Sequence, residues 1–509
     1  MVKFTAFVKY MQNNNKTIAI NTVIVYLRVV IVTIIGFITS RFILQLLGFE
    51  CFGLYNVVGG IIGLFSFFSA SLSISTQRFI CIEQGKKNGD IKQIFNASIQ
   101  VHLIFALFVL VLAELVGSIY IIFFLNIEQK YIDDAFFVFH ISTLSASFAI
   151  LTVPYQSILI AYEKFMALSL IDISVNIFKL FAILSLFFFD GDKLRVFSLI
   201  MCFVTILPFI LYYLVCKKTY AETVHIEKVK DKHAIKELIV FNNYSLIRTM
   251  SLVLRSHGSV ILVNYFFGIV ANAAFAISNT VFSVVNSFVA QFDVATSPQI
   301  TQSFSSGKIK RSINLTIMTC RSCLLLLALI YFPLAIELDY IIGLWLGEYP
   351  EGTILLCKFT LLLAVVSATS AGISKLVDAI GDIKSFSILY TILYVLCLPL
   401  GALFYKIGFQ SYIIMVLFIV ADLILRFLQL YIICKNIQLG FVYILNKSYG
   451  KCTLVYIINY LSLKLLLLAH LHPLVNIILC TIISIISIYV FGLYRSEKNK
   501  IINIIKTRI

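Results

Sequence analysis

Apolar runs of about 20–27 residues recur along the whole chain, and a run of that length crosses the hydrocarbon core of a bilayer as an α-helix. Inside lipid every backbone amide must be paired within its own helix or within a closed barrel, and barrel strands need only roughly ten residues. The expected fold is therefore an all-α polytopic membrane protein. Composition agrees: 61% of the 509 residues are hydrophobic and 13% are charged, too few charges to coat a soluble domain. About fourteen transmembrane helices are expected, near 18–40, 55–75, 98–124, 135–161, 165–189, 195–215, 238–265, 270–296, 313–336, 353–376, 385–405, 411–433, 452–470 and 474–493.

A single offset carries Arg28 onto Arg248, Gly48 onto Gly268, Tyr55 onto Phe275, Phe68 onto Phe288, Ala70 onto Ala290 and Thr76 onto Thr296. The chain thus reads as two six-helix lobes related by an internal repeat, plus two C-terminal helices. The boundaries are 1–237 for the first lobe with its linker, 238–450 for the second, and 451–509 for the added helices and a basic tail. Internal repeats in membrane proteins point to transport.

The formal net charge of +16 would suit nucleic acid, but the cations fall in alternate loops, the positive-inside pattern. Lys86, Lys87 and Lys92, then Lys217 to Lys236, then Lys308, Lys310 and Arg311 mark one side; Asp133, Asp134, Asp190, Asp192, Glu337 and Asp339 mark the other. Both termini are expected to be cytoplasmic, with MVKFTAFVKY on the membrane surface and no cleavable signal before the first span. No nucleic-acid partner is expected.

Charges within the spans carry the functional argument. An arginine at the bilayer centre costs about 2.5–3.5 kcal/mol on the lenient insertion scale, so Arg28, Arg248 and Arg255 should face a polar interior. Arg248 and Arg255 are seven residues apart and share a helix face, with Ser245, Ser251 and Ser259 beside them. Asn21 shares a face with Arg28, and Asp172, Asn176 and Lys179 lie on one face of the fifth span. A cationic lining selects an anionic cargo. The substrate-binding candidates are Arg28, Arg248, Arg255, Lys179, Asn21 and Ser251; Asp172 and Glu114 are candidates for ion coupling. The bland alternative for the arginines is pairing across helices to fix packing; Asp172 and Lys179 could neutralise each other on their own helix, Asp422 and Arg426 form an i,i+4 pair, Lys375 and Asp378 a cytoplasmic rim pair, and His140 and His257 take packing roles. Glu114, Arg321 and Lys464 are deep enough to need partners that the sequence does not name.

Pro154 is expected to kink the fourth span, and Gly59, Gly60 and Gly63 to permit close helix approach in the second. The 11 cysteines show no framework spacing, and the CxxC at Cys320 and Cys323 lies in a span, where packing is the simpler role. No P-loop, metal-ligand cluster or nucleophile elbow is present, so no catalytic residue, metal or cofactor is expected.

The stretches NTVIVYLRVVIVTIIGFITSRFILQLLGFECFGLYNVV, VPYQSILIAYEKF and FGIVANAAFAISNTV, in this order, resemble the polysaccharide-lipid flippases of the multidrug/oligosaccharidyl-lipid/polysaccharide (MOP) superfamily. The resemblance covers essentially the whole chain. It implies a flippase that moves undecaprenyl-pyrophosphate-linked oligosaccharides across the bacterial inner membrane through a cationic cavity between lobes, for surface polysaccharides such as O-antigen. By position, Arg28, Arg248 and Arg255 would contact the pyrophosphate or acidic sugars. The lipid-linked oligosaccharide, membrane lipids and polysaccharide-assembly proteins are the implied partners, and a monomer the implied working unit. In related lipid-II flippases two added helices form a groove for the lipid tail, which Lys464 would interrupt here. An organic-cation antiporter of the same superfamily would need cavity carboxylates, and the first span has none. A membrane glycosyltransferase or polymerase would need a larger extracytoplasmic loop.

Overall fold

Long apolar segments punctuated by short polar loops become helices throughout the described residues. The computed structural model describes most of residues 20–499. Positions 1–19, 37, 40, 41, 44, 48–50, 52, 53, 56, 57, 60–62, 64, 87, 88, 124–128, 130, 131, 228, 230, 231, 348, 382, 439, 470, 496 and 500–509 lie outside the description. The expected surface segment at the N-terminus, Gly48 and Gly60 are among them.

Helix α1 is Ile20–Gly36. Then come α2 Ser66–Gly85, α3 Ile91–Phe123 and α4 Ile132–Ala161, α5 Phe165–Phe188, α6 Lys193–Thr219 and α7 Lys232–Val253. A five-residue π turn, Leu254–Gly258, leads into α8 Ser259–Ser305. There follow α9 Ile309–Ile336, α10 Leu338–Leu346, α11 Thr353–Ala368, α12 Ile373–Ile380, α13 Ile383–Lys406 and α14 Ile413–Ile437. Helices α15 Phe441–Leu468 and α16 Pro473–Gly492 complete the series.

Ten helices among the described residues are long and apolar enough to cross a membrane, and there are eleven such segments if α11 and α12, bent by 44°, are counted together as one broken span. Three of the fourteen expected spans fall outside this set. The segment 18–40 is described as the shorter apolar helix α1; 55–75 is only partly described; 238–265 carries Arg248 and Arg255 and is broken by the π turn. Lipid exposure fits the reading of the rest: Leu103, Ile104, Leu107, Phe108, Val111 and Leu115 form an exposed apolar stripe along α3.

The chain divides into two compact units, Met1–Met250 and Ser251–Ile509. In the first, α4 packs against α2, α3 and α6, and Phe139 of α4 fills the space left by Gly117 of α3, where an added Cβ would lie 2.2 Å from the ring. That is the close approach which the second-span glycines were expected to provide; Gly59 and Gly63 instead have open space around them. Helix α4 runs through Pro154 as one continuous helix. The first part of α7 is fastened to α2 by hydroxyls: Ser71 Oγ donates to the Asn242 carbonyl at 2.9 Å, and Thr249 Oγ1 to the Phe67 carbonyl at 3.2 Å. The lysine-rich linker starts under restraint as well. Asn96 donates to the His225 carbonyl and accepts from the Glu227 amide, and Tyr220 stacks on Tyr162 with centroids 4.3 Å apart. Burial there pushes the Tyr220 phenol up to about 12.

In the second unit α9 is the central helix, with 67% of its apolar window buried. The two C-terminal helices pack onto it: Tyr456 donates to the Leu324 carbonyl at 3.1 Å, and Cys480 joins a core of Ala328, Phe332 and Ile336. They are also tied to each other, Asn459 donating to Ser487 at 2.7 Å and accepting from Ser484 at 2.8 Å. Gly268 breaks α8, and its φ of 77° and ψ of −172° favour glycine.

Candidate functional site

A charge in an apolar helix has to be matched, and the partner of Arg28 comes from α5. Arg28 Nη1 lies 2.8 Å from Asp172 Oδ2, with side chains 19% and 30% exposed. The other carboxylate oxygen accepts from the Tyr212 hydroxyl of α6 at 2.7 Å. Asp172 is thus engaged by Arg28 and Tyr212, a correction to the alternative that paired it with Lys179. Asn176 turns back to the Asp172 carbonyl at 2.8 Å. Lys179, one helical turn further, is half-buried and has no hydrogen-bond or carboxylate partner among the described residues. Asn21 is 6% exposed with its Nδ2 unpaired among the described residues. The first unit therefore holds an arginine–aspartate–tyrosine group with a spare ammonium on the same helix.

The second unit builds a comparable set of side chains. The Arg255 guanidinium carbon lies 5.2 Å from the Phe282 ring centroid, 5.4 Å from Tyr394 and 5.0 Å from Phe418, boxed by three aromatic rings. Its Nη1 donates to the Tyr394 hydroxyl at 3.4 Å, and that hydroxyl donates onward to Asp422. Ser367 donates to Oδ2 of Asp422, while Arg426 Nη2 approaches Oδ1, the oxygen bonded by Tyr394, at 4.0 Å and its Nη1 donates to Gln429. Arginine, tyrosine and aspartate come from the first, fifth and sixth expected spans of the chain's second half; in the first half arginine, aspartate and tyrosine come from the same three. Aspartate and tyrosine have exchanged helices.

Arg255 sits in the π turn, so the α period from which a common face with Arg248 was inferred does not run unbroken through it. Arg248 is 8% exposed and Ser251 1% exposed. Ser259 donates to the Arg255 carbonyl. Glu114 accepts from or donates to His140 Nδ1 at 2.7 Å, with His140 half exposed, so this coupling candidate is a hydrogen-bonded pair. Arg321 finds Glu497 and the Tyr494 ring, and Lys464 is exposed beside Tyr460. Lys375 lies 4.0 Å from Asp293, not on Asp378 as expected from sequence, and Asp293 also accepts from the Gly372 amide at 2.7 Å. The side chain of His257 lies outside the description. Cys320 and Cys323 are buried free thiols donating to the Thr369 and Val289 carbonyls. A cavity of roughly 230 Å³ lined by Tyr55, Ser142, Ser145, Ser198 and Thr205 lies in the first unit; it is smaller than drug-sized sites, typically about 300–1,000 Å³.

The tyrosines and Ser367 escaped the sequence reading. With 26 tyrosines in the chain, mostly in apolar context, nothing in the pattern distinguishes Tyr212 and Tyr394.

The chain is helical with many apolar helices long enough to cross a membrane, and its fold is similar to that of solved transporters of the MOP superfamily. Its solved structural neighbours include a MOP superfamily transporter from Pyrococcus furiosus, described as having a binding pocket of reverse polarity that suggests a different function (TM-score 0.68, 10% identity, 83% of this chain and 95% of that one). They also include the outward-facing form of a multidrug resistance MATE family transporter (TM-score 0.68, 11% identity, 83% and 96%) and a Vibrio cholerae MATE transporter (TM-score 0.64, 17% identity, 83% and 97%). No protein-family model and no curated protein matches the chain.

Proposed function

We propose that this transporter is a flippase for an anionic, lipid-linked cargo. The best fit is an undecaprenyl-pyrophosphate-linked oligosaccharide carried from the cytoplasmic to the outer leaflet of a bacterial inner membrane by alternating access, for surface polysaccharide synthesis. The observation that carries this reading is the chemistry of the two arginine groups. Each presents a guanidinium inside a span, and both aspartates are already engaged, Asp172 by Arg28 and Tyr212, Asp422 by Tyr394, Ser367 and Arg426. A cationic drug would have to compete for neutralised carboxylates. A pyrophosphate can take the guanidinium donors left unused at Arg255, which has five N–H groups and a single described acceptor. Lys179, without a partner among the described residues, adds a point charge of the same sign, and Arg248, Asn21 and Ser251 remain lining candidates. The Pyrococcus furiosus neighbour, described as having a binding pocket of reverse polarity on a similar fold, supports this reading.

The topology we assign has fourteen spans, two six-helix lobes followed by α15 and α16, with both termini cytoplasmic and a monomer as the working unit. Native mass spectrometry with an undecaprenyl-pyrophosphate oligosaccharide and, separately, an organic cation tests the cargo class. Retention of the lipid, lost in Arg28→Ala and Arg255→Ala, is expected. Saturable retention of the cation without the lipid would assign a multidrug antiporter.

A further inference from the structure

A second group of charges lies in the Ser251–Ile509 unit, apart from the Arg255 group. The segment after α16 brings Tyr494 against three cations: Lys451 Nζ is 4.0 Å from its ring centroid, Arg321 Cζ 4.3 Å and Lys447 Nζ 5.6 Å. Lys498 lies on the same segment, its Nζ 5.5 Å from the Tyr489 ring centroid. The carboxylate among them, Glu497, bonds Arg321 and spends its second oxygen on the Tyr494 amide at 2.8 Å.

Gathering like charges around one ring is unfavourable unless an anion completes the set. The donors left over say where it would bind. Arg321 is 4% exposed, and its Nε has no acceptor among the described residues. Lys447 is exposed, and its ammonium has no described acceptor. Lys451 uses one of its three N–H groups on the Leu493 carbonyl at 2.7 Å, and Lys498 one on the Val490 carbonyl at 2.7 Å. The cluster is framed by exposed apolar side chains: Val442, Tyr443 and Leu445 before it on α15, Tyr489, Val490 and Phe491 on α16. Cations beside outward apolar faces match an amphiphile with an anionic head.

We propose that Lys447, Lys451, Arg321 and Lys498 bind the phosphate of an anionic phospholipid, whose chains lie along the exposed faces of α15 and α16. The site does not depend on the cargo reading. Free phosphate shares the head-group chemistry but makes no use of the apolar frame.

The test is native mass spectrometry of the full chain in detergent, titrated with phosphatidylglycerol, with phosphatidylcholine, and with phosphatidylglycerol in the presence of inorganic phosphate. Phosphatidylglycerol should bind at least tenfold tighter than phosphatidylcholine. The preference should fall about tenfold in Lys447→Gln/Lys451→Gln and remain in Lys464→Gln. Lys447→Gln alone, at an exposed side chain, should lose about threefold and serves if the double variant does not fold. Equal binding of the two lipids, or an unchanged preference in Lys447→Gln, would overturn the site. Displacement of the lipid by millimolar inorganic phosphate would assign a free phosphate site and overturn the lipid.

Discussion

Arg28 and Asp172, 144 positions apart in the chain, are joined by a 2.8 Å contact between Nη1 and Oδ2. That contact makes the guanidinium tolerable within an apolar helix, because a charge in an apolar environment without a partner costs several kcal/mol. It also leaves the group able to respond. Asp172 holds Tyr212 with its other oxygen at 2.7 Å, so the carboxylate keeps one donor if an incoming anion draws Arg28 away from it. In the second unit, Arg255 reaches Asp422 through the Tyr394 hydroxyl rather than by a direct contact among the described residues, which leaves its charge less compensated.

The ion pair should be visible in stability. Because the two side chains keep 19% and 30% exposure, losing one partner should cost about 1–3 kcal/mol, below the roughly 3–5 of a fully buried pair. Thermal unfolding in detergent of Arg28→Met, Asp172→Leu and the double variant should show the double to be less destabilised than the sum of the singles. Additive losses would mean that the pair contributes no coupling.

Two glycines with similar backbone angles should respond differently to alanine. Gly307 has φ 75° and open space for a Cβ; Gly372 has φ 71°, but a Cβ there would lie 2.9 Å from Thr319 Cβ. Gly307→Ala should cost about 1 kcal/mol from conformation alone. Gly372→Ala should lower the melting temperature further, since it also strains the joint between α11 and α12. Equal shifts would show that the joint yields freely.

Orientation is testable with single added cysteines. Nine native thiols are buried, and Cys51 and Cys434 are only partly accessible, so background labelling should be low. With an impermeant thiol reagent on intact cells, Asp192→Cys should react and Glu227→Cys should not. Labelling of both, or of Glu227→Cys alone, would refute the assigned topology.

An anionic cargo leaving a negative interior gains roughly 2.3 kcal/mol per charge per 100 mV. Flipping into the outer leaflet of proteoliposomes should therefore speed up when the inside is made negative. A rate independent of potential would argue that the cargo's charge is compensated by a co-moving ion, returning Asp172 and Glu114 to consideration.

The helices were legible because runs of leucine, isoleucine and phenylalanine of bilayer length have few alternatives. Arg28 and Arg255 stood out because a charge in such a run is expensive. Their surroundings were not legible. Asp172 had Lys179 on its own helix face, and only tertiary packing decided for Arg28. Tyr212 and Tyr394 sit in apolar runs where a tyrosine is unremarkable, and the π turn at Leu254–Gly258 leaves no local signature. The second-span glycines misled for a related reason: small residues permit close approach, but which neighbour arrives is a property of the packed unit, and it was Phe139 that arrived, at Gly117.

Transport per folded molecule, measured in proteoliposomes for Arg28→Ala, Arg255→Ala and the matching lysine variants, tests the cationic site most directly. Both alanine variants should insert and yet lose at least tenfold in specific flipping activity. Lysine should restore part of it, keeping the charge but not the guanidinium fork. Wild-type specific activity in both alanine variants, with any loss explained by less folded protein, would contradict the proposal that these guanidiniums handle the cargo.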